Sequence, residues 1–145
     1  AIYDEPATEF VASFLGSPRI NTMATRASAG VATIAGVELV APTLRDLDVV
    51  VAARPEHVAV RPSDEPAPAS ALSFVTTVAA TEPLGAETIL HLEAATGTAR
   101  LSLRAKVPGF FDPALSSEVR VVIERDRLTW FDAKSGERIR EAGRA

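Results

Sequence analysis

The sequence predicts an all-β domain, a small antiparallel barrel or sandwich, preceded by one short helix. Apolar residues recur with period two from Ile20 onward, and Gly- or Pro-bearing breaks follow one another at the 8–12-residue spacing typical of such folds. The composition agrees. Of 145 residues 47% are hydrophobic, but 26 are alanines and only 6% are aromatic, so the core rests on Val, Ile and Leu, which favour strands. A chain of this length suits one domain plus an appendage, with enough residues to bury a core without staples.

The opening residues 1–16 read differently from the rest. Pro6 suits a first helical turn, Phe10 with Phe14 and Val11 with Leu15 make i,i+4 pairs, and Gly16 with Pro18 closes the segment. A three-turn amphipathic helix is marginal alone, so it needs a surface to dock on. Gly30 and Gly36 then punctuate two short strand candidates, 31–34 and 37–40, ahead of Pro42 and a loop over 43–48.

Residues 49–53 and 58–60 are β-branched pieces too short for helices, and Arg54, Pro55, Glu56 and His57 lie between them. Pro55 lacks a backbone donor, so the chain should bend there and present Glu56 and His57 at a rim. Taken alone, four such residues are more simply read as an ordinary surface corner. Residues 62–70, with Pro62, Pro66 and Pro68 among Ser, Asp, Glu and Ala, read as an exposed loop.

The second half holds the cleaner strands: 72–80, 87–94, 99–107, 118–125 and 127–131. In 99–107, Leu101, Leu103, Ala105 and Val107 alternate with Arg100, Ser102, Arg104 and Lys106, which predicts one wet face. Gly85-Ala86, Thr96-Gly97 and residues 108–113 are the breaks between strands.

Several functions lack their residues. There is no cysteine, hence no disulfide or thiolate chemistry, and no apolar run exceeds five residues, far short of a membrane-spanning helix. The net charge of −4 divides into −7 over residues 1–97 and +3 over 98–145, poor material for a phosphate-backbone surface. Neither lysine, Lys106 or Lys134, stands in a phosphate-loop motif, and His57 and His91 lie 34 residues apart with no second ligand at metal spacing. No Gly-x-Ser-x-Gly elbow occurs, and Glu82 with Glu87, or Asp126 with Asp132, are explained by solvated strand ends. The residues therefore predict no catalytic centre, no bound cofactor and no metal site.

Four ordered strings resemble one family. Ile2-Tyr3, Pro6, Phe10-Val11-Ala12, Phe14 to Pro18 and Asn21 look like the end of the nucleotide-binding domain of maltose-type carbohydrate ABC-importer ATPases. Arg54-Pro55-Glu56-His57 resembles the next landmark. Glu82, Leu84-Gly85 and Glu87-Thr88 resemble a "Glu, Leu-Gly, Glu" hairpin, and Trp130-Phe131-Asp132 with Ser135-Gly136 and Ile139 the closing signature. Pro83 and Trp130 depart from the usual pattern.

The resemblance implies that residues 1–18 are the tail of a nucleotide-binding domain and 19–145 a regulatory domain, the transport-associated OB (TOBE) domain, a small oligonucleotide/oligosaccharide-binding-type β-barrel. It implies no enzyme in this piece, since ATP, Mg and their motifs would belong to residues upstream of Ala1. The implied work is to hold the ATPase homodimer together and to receive regulatory proteins. Further partners would be the transporter's membrane subunits, and the place the cytoplasmic face of the cell membrane. Carried over by position, the contact residues are Arg54, Pro55, Glu56, His57, Gly85, Glu87 and Phe131, with Gly85 also explicable as a turn glycine and Phe131 as core. The alternative is a small-ligand-sensing domain for an oxyanion or a sugar, although no string typical of oxyanion-binding relatives is present.

Overall fold

In the computed structural model the described residues are 20–40, 46–96 and 99–139. They form strands β1 (Asn21–Ser28), β2 (Val31–Ile34), β3 (Val37–Val40), β4 (Leu47–Ala53), β5 (Ala59–Pro62), β6 (Ala71–Pro83), β7 (Glu87–Thr96), β8 (Ala99–Pro108), β9 (Glu118–Glu124), β10 (Thr129–Asp132) and β11 (Arg138–Ile139). The strands pair as two antiparallel sheets, in the orders β11-β10-β4-β1-β2-β3 and β5-β9-β6-β7-β8. The all-β class holds. The helix expected in residues 1–16 lies outside the described residues.

Period-two patterning decides which side chains meet between the sheets. From the first sheet Met23, Val49, Val51, Ala53 and Trp130 point inward; from the second, Leu72, Phe74, Val78, Leu90, Leu92, Leu103, Ala105, Val121 and Ile123. Full burial of each such Val, Leu, Ile or Met side chain contributes about 1.5–3 kcal/mol, so this layer holds the two sheets together. Of the strand predicted to have a wet face, Leu103 and Ala105 are buried while Arg100 and Ser102 are exposed.

Two hairpin turns explain the glycines at 30 and 36. Ser28 pairs with Val31 and Ile34 with Val37, leaving Ala29-Gly30 and Ala35-Gly36 as two-residue loops. All four residues have positive φ, at 53°, 77°, 51° and 80°. A turn with both central residues left-handed matches the twist of the flanking strands, which is why glycine stands second in each. The predicted strands 31–34 and 37–40 are recovered in full.

Long β6 binds the second sheet by changing partners along its length. Residues 71–77 pair with β9 and 77–83 with β7, with a register shift between Val78 and Ala80. At that bulge Val78 N–H donates to the Ser117 carbonyl (2.9 Å) and Ser116 N–H to the Val78 carbonyl (2.8 Å), so the bent strand keeps its bonds.

Most boundaries shift by a residue or more from the sequence expectation, β6 furthest, running to Pro83 rather than 80. β5 starts one residue later than expected and runs through Pro62, which an edge strand tolerates because the missing N–H faces away from the ladder. Residues 63–70 contain no strand, as expected. Arg125 and Arg127, expected to end one strand and open the next on either side of Asp126, lie instead with it in a short 3-10 turn, and β11 was not foreseen at all.

Candidate functional site: a groove beside the first corner

Arg54 to His57 carry the chain from one sheet to the other. Pro55–His57 is a single 3-10 turn with Pro at its first position, closed by His57 N–H to the Arg54 carbonyl (2.9 Å) and Val58 N–H to the Pro55 carbonyl (3.2 Å). The proline ring is buried, whereas Arg54 and Glu56 are exposed and His57 half-buried. Val58, 1% exposed, anchors the far side in the core. The predicted bend is therefore present, fixed by packing beneath it, with its charged side chains outward.

The corner leans over the wet face of the second sheet. Between them lies an open groove of ≈ 580 Å³ lined by Arg54, Pro55, Glu56, Glu82, Ile89, His91, Arg104 and Lys106. Strand register brings the sheet residues together, because His91 stands opposite Arg104 and Ile89 opposite Lys106 across β7 and β8, and Glu82 pairs with Ile89 across β6 and β7. None of these neighbours is close in sequence to the corner.

A polar chain runs across the groove floor. Arg104 Nε donates to His91 Nδ1 at 3.5 Å, and His91 Nε2 meets Glu82 Oε1 at 3.2 Å. Because a guanidinium N–H only donates, Nδ1 is the acceptor and Nε2 carries the proton toward the carboxylate. Lys106 Nζ is 3.6 Å from Glu87 Oε1 at the groove's end, both side chains remaining partly exposed.

Asn21 sets the position of the groove's back strand. Its Nδ2 donates to the Arg104 carbonyl (2.8 Å), and its Oδ1 accepts from the Arg104 N–H (2.7 Å). This amide, 6% exposed, does for β1 and edge strand β8 what a ladder pair would do, linking the two sheets. Arg104 is thereby held by its backbone, and its side chain is directed by the strand.

The candidate residues do not all share one place. Arg54, Pro55 and Glu56 line the groove, and Glu87 reaches its end through Lys106. His57 turns to the other side, its Nε2 lying 3.5 Å from Arg127 Nη1. Gly85 occupies the β6–β7 turn with φ +94° and open space where a Cβ would stand, so its backbone conformation is what requires glycine. Phe131 is 3% exposed and packs with Ala52, Ile20 and Val50, apart from the main core.

His91 and Asn21 are not among the contact residues expected from the sequence. The alternation of Arg104 and Lys106 was the available signal, and it needed the β7–β8 register to point at His91. Among the described residues no helix is long and apolar enough to cross a membrane.

Two antiparallel sheets joined through a proline corner, with a charged groove beside it, define an all-β module. The chain matches the TOBE domain family over residues 51–131 and belongs to it. Among relatives it is 34% identical over 138 residues to the sn-glycerol-3-phosphate import ATP-binding protein UgpC of Cereibacter sphaeroides, covering 95% of this chain and 37% of that protein. It is 33% identical over 141 residues to the UgpC of Ruegeria pomeroyi, covering 97% and 37% respectively. The chain thus spans little more than a third of the length of these relatives and resembles their C-terminal part. In three dimensions it is similar to the cytoplasmic molybdate-binding protein ModG with molybdate bound, with a TM-score of 0.53 and 12% identity over 79% of this chain and 96% of that one. At that identity the likeness is one of fold alone.

Proposed function

We propose that this chain is the C-terminal regulatory and dimerisation module of the ATP-binding subunit of an ABC importer for a phosphorylated polyol or sugar. In this reading residues 1–18 close a nucleotide-binding domain and 19–145 form the TOBE domain, its two sheets wrapping as an oligonucleotide-binding-type barrel. ATP and Mg act on the upstream domain. The module meets a second copy of the subunit, the assembly binds the transporter's membrane subunits at the cytoplasmic face, and a regulatory protein has a surface to engage.

The observation that carries this reading is the family match over 51–131, extended by relatives that align along nearly the whole chain and are named as import ATP-binding proteins. Their names favour a glycerol-3-phosphate-like cargo over the maltose-type cargo that the sequence strings suggested. The geometry of the corner suits the contact role. A surface that must persist while a neighbouring domain changes shape needs a rigid scaffold and exposed polar side chains, and Arg54 and Glu56 stand outward on a buried proline. Gly85 and Glu87 extend the contact along the hairpin, with His57 at its other margin and Phe131 supporting the sheet from behind.

Two measurements test this. The gene upstream of Ala1 is expected to encode a phosphate loop and the remaining ATPase motifs, and an unrelated upstream sequence overturns the assignment. In the full-length protein, sedimentation should show a dimer that weakens on Glu56→Ala. A monomer with full ATPase coupling argues against the dimerisation role.

A further inference from the structure

We propose that the apolar strip formed by the β6–β7 turn and residues 109–117 docks a basic amphipathic helix of a partner protein. The inference deepens the regulatory part of the reading above, giving that partner a surface and a chemistry, and it does not depend on the dimerisation part.

Of six large apolar side chains that stand exposed among the described residues, four lie here: Leu84, Phe110, Phe111 and Leu115, with Phe110 73% and Leu115 65% exposed. Scattered single apolar residues are ordinary on a protein surface, whereas a cluster of them marks a contact site. Aromatic side chains are also enriched in the buried centres of protein interfaces.

Backbone tethers hold these side chains outward. Gly109 N–H donates to the Ala86 carbonyl (2.8 Å). The wholly buried Thr88 hydroxyl donates to the Gly109 carbonyl (2.8 Å) and accepts from the Phe111 N–H (3.2 Å), so Phe110 is pinned on both sides. Further along, Thr81 Oγ1 donates to Asp112 Oδ1 (3.2 Å) and Ser116 N–H to the Val78 carbonyl (2.8 Å), which brackets Leu115. The tethers carry the segment back along β6 from its turn at Leu84 to Val78, roughly 20 Å of strand and about 13 residues of helix. A helix with apolar residues at i, i+4 and i+7 can therefore lie along the strip. A surface ordered in advance loses little freedom when the partner arrives.

Charge selects the occupant. Residues 78–87 and 109–118 contain four carboxylates, Glu82, Glu87, Asp112 and Glu118, and no Lys or Arg. Lys106 Nζ offsets Glu87 at 3.6 Å, and Glu82 turns to His91. Asp112 and Glu118 remain exposed on the loop with no ion pair among the described residues. An anionic lipid surface is repelled by such a rim, and two copies meeting strip to strip would oppose like charges. The chain's own residues 1–16 hold Asp4, Glu5 and Glu9 and no Lys or Arg, so they are repelled as well. A helix that carries Lys or Arg beside its apolar stripe complements both the strip and its rim.

Anisotropy titration of the 145-residue chain with two labelled helical peptides tests the proposal, one with leucine on one face and lysine on the other, the second with glutamate in place of lysine. The Leu/Lys peptide is expected to saturate and the Leu/Glu peptide to bind at least about tenfold more weakly. Phe110→Ser and Leu115→Ser should each weaken the Leu/Lys peptide about tenfold, with thermal melting unchanged because both side chains are exposed. Val40→Ser, at an exposed apolar residue of edge strand β3, should alter neither. No saturation at millimolar Leu/Lys peptide overturns the proposal, as does equal binding of the Leu/Glu peptide or undiminished binding by both strip variants. Sedimentation of the chain and flotation with phosphatidylglycerol vesicles read the other occupants. Self-association or vesicle binding that Phe110→Ser abolishes assigns the strip to a second copy or to a bilayer, and overturns the proposal too. A monomeric full-length protein would refute the dimerisation reading and leave this result standing.

Discussion

The chain crosses between its two sheets at two corners among the described residues, and the corners reach one shape with opposite materials. The first, Pro55–His57, joins β4 to β5; the second, Arg125–Arg127, joins β9 to β10. Each is a 3-10 turn closed by the following residue's N–H, Val58 to the Pro55 carbonyl and Leu128 to the Arg125 carbonyl, both at 3.2 Å. Because β4 pairs with β10 in one sheet and β5 with β9 in the other, the corners lie side by side, and His57 meets Arg127 between them. The first buries its proline; the second buries no residue and consists of Arg, Asp and Arg.

The difference teaches that turn shape at these crossings is imposed by the paired strands on either side, whereas the sequence of each turn reflects its surroundings. The second corner faces solvent and reaches the end of β3 through Arg125 Nη2 and the Val40 carbonyl (2.5 Å). The first abuts β8, and a charged groove opens between them. A corner fixed by burial can hold outward charges in place, so the site falls on that side.

The comparison predicts that disruption depends on what a residue buries. Trp130→Ala, just beyond the second corner and 2% exposed, should cost about 3–5 kcal/mol in urea unfolding, the largest effect, because β10 anchors the core and its corner does not. Asn21→Ala removes both bonds to the Arg104 backbone and should cost about 1–3 kcal/mol, with faster hydrogen exchange at the Arg104 amide. Pro55→Ala should cost about 1 kcal/mol through the unfolded chain's regained freedom and lost packing, while Asp126→Ala at the matching turn stays within about 0.5 kcal/mol. A greater loss at Asp126 than at Pro55 breaks the comparison. Glu56→Ala, fully outward, should leave the melting midpoint unchanged and act only on binding or assembly.

Legibility in the sequence followed the same division. The first corner was visible because proline between two β-branched runs has few other uses, and the hairpins were visible because Gly30 and Gly36 mark turns that need positive φ. The second corner was legible only as a one-residue break at Asp126, since Arg125 and Arg127 fit exposed strand ends equally well. The groove was half legible. Alternation placed Arg104 and Lys106 on one face, yet nothing local tied them to Arg54 or His91.

By itself, then, the sequence determined the strand class, most strand positions, the corner at Pro55 and the wet face of β8, all of which follow from period-two patterning and backbone chemistry within a few residues. Tertiary structure decided that β4 pairs with β10 and β5 with β9, that Asn21 bridges to β8, and that Arg54 and Arg104 line one groove. Those outcomes depend on register between segments as many as 83 residues apart. Register is set by packing of the assembled core, and no local stretch encodes it.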